Sequence, residues 1–94
     1  MELSDLLGRL RALAQDVGLE VRELHAAAPG ELPPGSGVCR VRGRTWVLLA
    51  ASDGLEQRIE VLAQALRTHA GPALEGRYLP PAVRERLAKG RADR

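Results

Sequence analysis

Leu3, Leu6, Leu7, Leu10, Leu13, Ala14 and Val17 recur at three- and four-residue intervals, the spacing that gathers apolar side chains on one stripe of an α-helix. Ser4 or Asp5 suits the start of that helix and Gly18 its end. Leu19-Glu20-Val21-Arg22-Glu23-Leu24 alternates imperfectly and predicts a short edge strand, whose charges discourage further strand addition. From Pro29 to Gly37 the chain holds three Pro and three Gly, which predicts a loop within one domain.

Val38 to Arg42 and Thr45 to Ala50 are rich in β-branched residues around Gly43, a hairpin pattern. With Gly43 and Arg44 as its two-residue loop, Val41 pairs with Trp46 and Cys39 with Leu48, which gives one wholly apolar face expected to form the core. The other face then carries Val38, Arg40, Arg42, Thr45, Val47 and Leu49. A second amphipathic helix follows, capped by Ser52 or Asp53 and running to about His69, with Leu55, Ile59, Leu62, Ala63 and Leu66 at core-facing spacing. Gly71-Pro72 stops it. A third, short helix is expected over Ala82 to Lys89, with Pro81 in its first turn, Gly90 at its end and Val83 and Leu87 as its inward edge. Arg84, Arg86 and Lys89 are expected to face solvent.

These elements predict an α+β fold: an antiparallel β-hairpin or three-stranded sheet packed against two amphipathic helices, plus a short C-terminal helix. Residues 1–94 form a single domain, with 91–94 a candidate disordered tail. The size agrees, since 94 residues can support one compact core. Without Phe, and with one Trp and one Tyr, that core is built from Leu, Val, Ile and Ala, and Trp46 is its largest candidate member.

Charge and cysteine content narrow the function classes. A net charge of +2 is too small to argue by itself for nucleic acid or an anionic membrane. The basic excess sits from Arg77 to the end. One cysteine, Cys39, excludes an intrachain disulfide and suits a reducing compartment. No apolar run approaches the roughly twenty residues that cross a bilayer, and Met1-Glu2-Leu3-Ser4-Asp5 does not resemble a secretory signal. The expectation is a cytoplasmic protein with no membrane partner.

No catalytic, cofactor-binding or metal-binding residue is assigned. His25 and His69 lack a third ligand at a recognised spacing. Cys39 is expected in the core, where a thiol is inert. Ser36, in Gly35-Ser36-Gly37, lacks the nucleophile-elbow pattern, and no glycine cluster matches a nucleotide-binding loop.

The order of helix, glycine loop, Gly37-Val38-Cys39-Arg40-Val41-Arg42-Gly43 hairpin, helix and Leu79-Pro80-Pro81-Ala82-Val83-Arg84-Glu85 resembles small uncharacterised bacterial proteins, a resemblance that implies no activity. A fainter likeness is to the minimal zinc metallopeptidase core, where a hairpin precedes a helix bearing HExxH. Ile59-Glu60-Val61-Leu62-Ala63 falls where that motif would fall. Glu60 would match the general base, but Ile59 and Ala63 replace both metal ligands, so the likeness implies a scaffold without zinc.

Apolar residues on both hairpin faces favour a non-enzymatic protein-interaction domain that associates as a homodimer or with another protein, with Val38, Val47 and Leu49 as its interface. The alternative is a nucleic-acid-binding module in which Arg40, Arg42, Arg84 and Arg86 contact phosphates.

Overall fold

The computed structural model describes residues 2–24 and 35–92, with residues 89–92 described by their backbone alone. Helix α1 (Leu3–Asp16) is followed by strands β1 (Glu20–Leu24), β2 (Gly37–Val41) and β3 (Arg44–Ala50), then helices α2 (Leu55–His69), α3 (Gly71–Leu74) and α4 (Pro81–Ala92). The fold is α+β. Of the two sheet arrangements expected, the three-stranded one forms, in the order β1-β3-β2, with β1 parallel and β2 antiparallel to the central β3.

The helix ends follow local chemistry. Helix α1 closes in a Schellman motif: Gly18 N–H donates to Gln15 O at 3.2 Å and Leu19 N–H to Ala14 O at 2.9 Å. Gly18 makes this possible by adopting φ +95°. Glu2 and Gly54, neither with a side-chain cap bond, occupy the N-cap positions of α1 and α2 in place of the expected Ser4 or Asp5 and Ser52 or Asp53. Helix α2 stops before Gly71-Pro72 as expected, but those two residues open the short α3. Helix α4 runs through Gly90 to Ala92, so Gly90 does not end it and residues 91 and 92 of the expected tail are helical. Residues 93–94, His25 and most of the Pro29–Gly37 loop lie outside the described residues, whereas 35–36 do connect without regular structure.

The hairpin turn is Arg42-Gly43, with φ values of 51° and 81°. Two consecutive positive φ values make a type I′ turn, whose twist matches that of the flanking strands. The register therefore differs from the expected one: Cys39 pairs with Trp46 and Val41 with Arg44. The two faces keep their membership because the shift is by two residues.

The face that becomes core is the opposite of the one expected. Thr45, Val47 and Leu49 point into the helices, with Val47 and Leu49 at 0% and 1% exposure. Trp46 and Cys39, expected in the core, are only half-buried on the outer face. Strand β1 explains the inversion. Its parallel register sets Glu20 beside Trp46 and Arg22 beside Leu48, while Val21 lies beside Val47. Turning the Trp46 face inward would bury Glu20, Arg22 and Arg44 as well, at a desolvation cost of several kcal/mol per ion.

The core lies between the inner sheet face and a helical layer. Leu6, Leu7, Leu10 and Ala14 come from α1, Ile59, Leu62, Ala63 and Leu66 from α2, and Val83 and Leu87 from α4. Helix α4 docks as its sequence predicts through Val83 and Leu87, and it rests on α1 and α2. Arg86, expected to be free in solvent, is held by Glu56 at 2.7 Å with little of its side chain exposed. Arg67 reaches Arg86 O and Leu87 O at 3.3 Å each and adds a polar clasp between α2 and α4.

Truncating neighbouring β3 leucines tests the face assignment. Leu49→Ala should lose about 2–5 kcal/mol in urea unfolding, as for a buried leucine, and Leu48→Ala clearly less; equal losses would contradict the inversion.

Candidate functional site at the open edge of the sheet

Strand β2 reads Gly-Val-Cys-Arg-Val, and none of its residues is fully buried, although three are apolar with side chains. Its order in the sheet is the cause: β2 has β3 on one side and no described strand on the other. Val38 is 41% exposed; of the described large apolar side chains only Tyr78 joins it in the exposed class.

The hydrogen-bonding groups on this edge follow from the turn. In a two-residue hairpin the flanking pair, Val41 and Arg44, exchanges both backbone bonds, and alternation then assigns Cys39 and Gly37 to β3 as well. The N–H and C=O groups of Val38 and Arg40 therefore face outward. Their side chains point to the helical side, where Val38 forms one wall of a groove of about 310 Å³. Val61, Gln64, Ala65, Thr68 and His69 of α2 form its other wall.

Ser36 and Asp53 fix the start of β2. Ser36 Oγ accepts from Ala50 N–H at 2.9 Å, and Ser36 N–H donates to Asp53 Oδ2 at 3.0 Å. Beginning of β2, end of β3 and approach to α2 are thereby tied at one point. The Ser36 hydroxyl, then its N–H, and the charge of Arg58 hold the Asp53 carboxyl below its ordinary value of 3.8. Ser36, expected as loop, and Asp53, expected as a helix cap, lie on either side of a whole hairpin in sequence, so no local pattern announces their pairing.

The two sheet edges are protected unequally. Three of the five β1 residues are charged, with Glu23 bound to Arg11 at 2.9 Å and Glu20 to Arg22 at 3.0 Å. Strand β2 carries Arg40 alone, and its guanidinium folds back to donate to Gly43 O at 3.1 Å. Charge is a common device against edge-to-edge association, and β2 has little of it.

The outer sheet face has no helix on it among the described residues. Trp46, Leu48, Cys39, Val41 and Leu24 are half-buried there, and the Arg22 guanidinium lies 5.1 Å from the Trp46 ring centroid. Cys39 is a free thiol.

Of the expected interface, Val38 is accessible but Val47 and Leu49 are not, because they fill the monomer core. The four arginines of the phosphate-binding alternative do not form one cluster. Arg40 and Arg42 belong to the hairpin, Arg84 and Arg86 to α4, and those elements do not touch. Arg84 lines a separate groove of about 240 Å³ with Leu74, Leu79 and Leu87. His69 is exposed in the last turn of α2.

Among the described residues no group of three His, Cys, Asp or Glu side chains could hold a metal ion. Ile59 and Ala63 are completely buried, and Glu60 pairs with Arg67 at 3.6 Å. No helix among the described residues is long and apolar enough to cross a membrane. No family model, curated protein or solved structure matches the chain.

The Ser36–Asp53 tie predicts a pH signature. A carboxyl held below 3.8 when folded stabilises the fold above that pH, and the contribution disappears as pH falls through the folded-state pKa. Asp53→Asn should thus be less stable than the unaltered protein at pH 6, with the difference closing below about pH 3.8 in urea melts; a gap that persists at low pH would refute the linkage.

Proposed function

We propose that this protein is a non-enzymatic interaction domain that self-associates, and that β2 is the element through which it does so. The single observation carrying this reading is that an apolar strand has no buried residue in the monomer. A strand of this composition is stabilised by company on both sides, and a partner supplies what the described residues leave open. The surface differs from the one expected from sequence, since only Val38 of the three interface residues remains available.

The chemistry around β2 suits association better than catalysis. The groove beside Val38 contains His69, Thr68 and Gln64, but no carboxylate among its described lining residues to orient the imidazole as an acid or base. A lone half-buried thiol suits a reducing cytoplasm, where association relies on non-covalent contacts.

Light scattering across protein and salt concentration tests the proposal. The expected result is a mass rising to twice that of the chain and changing little between about 0.05 and 0.5 M salt, since backbone and apolar contacts are weakly screened. A monomer at every concentration would overturn it.

A further inference from the structure

We infer that two copies join isologously, β2 against β2 in antiparallel pairing about a two-fold axis through Cys39, so that the sheet continues across both subunits. This inference rests on the self-association reading and specifies its geometry.

The strand is complementary to itself. Cys39 is the middle residue of Gly37–Val41, and the outward backbone groups lie one residue to either side of it, on Val38 and Arg40. Rotation about an axis at Cys39 sets Val38 of one copy opposite Arg40 of the other. Each such pair exchanges both N–H···O=C bonds, so every outward group in the centre of the strand finds a partner. Centring the axis on Val38 instead would pair Arg40 with Ser36, whose N–H is already given to Asp53, and centring it on Arg40 would pair Val38 with Arg42, a turn residue at φ 51°, and set two Arg40 side chains opposite each other.

Side chains agree with this register. Arg40 meets Val38 rather than another Arg40 across the seam, and its guanidinium is already turned toward its own Gly43 carbonyl. On the helical side, Val38 forms a wall of the groove between β2 and α2. Val38 of each copy then lies diagonally across from its counterpart on the same face, beside the partner's Arg40, which covers part of its exposed surface. Isologous pairing also closes after two copies, whereas joining β2 to the charged β1 of a neighbour would propagate without end.

The other edge does not compete. In β1, Glu20, Arg22 and Glu23 would have to give up part of their hydration against a second chain, three charges in five residues. Thus the molecule has one edge closed by charge and one left suitable for pairing.

Two measurements on the full chain test the geometry. Val38→Pro removes an N–H that faces away from β3 and so leaves the hairpin ladder intact. It should keep the circular dichroism and cooperative melting of the unaltered protein while weakening dimerisation roughly ten- to a hundredfold, because the donor is lost from both copies. In the unaltered protein, Cys39 forms a non-hydrogen-bonded pair with its counterpart, at a Cα separation of about 4.5 Å that a disulfide can bridge. Mild oxidation with copper–phenanthroline and dissolved oxygen, which takes up the thiol electrons and protons as water, should convert dimer to a covalent species absent from Cys39→Ser. A dimer that neither cross-links through Cys39 nor responds to Val38→Pro overturns the β2 pairing and leaves self-association standing. A monomer under all conditions overturns both. If Val38→Pro fails to fold, cross-linking of the unaltered dimer decides alone: its absence refutes the axis at Cys39.

Discussion

The packing of Val47 and Leu49 against α1 and α2 is the constraint on which the rest of the structure depends. Both belong to the central strand, and both are essentially inaccessible. They can be buried only if the helices lie on one side of the sheet. Once α1 and α2 occupy that side, Thr45, Val47 and Leu49 become the inner row and Trp46 and Leu48 the outer one. A chain without Phe builds this interior from aliphatic side chains, for which close interdigitation replaces the large area of aromatic rings.

Peripheral elements complete this arrangement with a mixture of apolar and polar contacts. Val83 and Leu87 of α4 close the helical layer, while Arg67 and the Glu56–Arg86 pair hold its backbone and flank. At the other end, Ser36 satisfies the Ala50 N–H and binds Asp53, so the open strand enters the sheet at a fixed point. The edge is therefore geometrically defined although it is incompletely buried. With the register fixed, the backbone groups of Val38 and Arg40 are the ones directed away from β3.

The helices, the turn and the core differ in how openly the sequence declares them. Both amphipathic helices were legible because leucines at three- and four-residue spacing report a local geometry, and Gly18 marked an end that requires positive φ. The hairpin was legible from its β-branched residues around Gly43, but its register was not: a glycine at the turn permits Arg42-Gly43 as a type I′ loop and Gly43-Arg44 as a type II′ loop, and both twists suit the flanking strands. Gly90 misled, because docking of Val83 and Leu87 carries α4 past a residue of weak helix propensity. The site was partly visible in Val38 and invisible in Ser36 and Asp53, which lie on opposite sides of the hairpin.

Sequence by itself determined the three longer helices and the strands, their order, and which residues share a face, since those depend on periods of 3.6 and two residues along one chain, while the short α3 went unread. It could not determine which hairpin face turns inward, because both faces of β2 and β3 contain apolar residues. Tertiary structure decided that through β1, whose Glu20 and Arg22 fall beside Trp46 and Leu48 and keep that face in contact with water. It also decided which strand stands at an edge of the sheet: strand order depends on long-range pairing, and no local pattern in Gly37–Val41 specifies that among the described residues one of its two sides has no neighbouring strand.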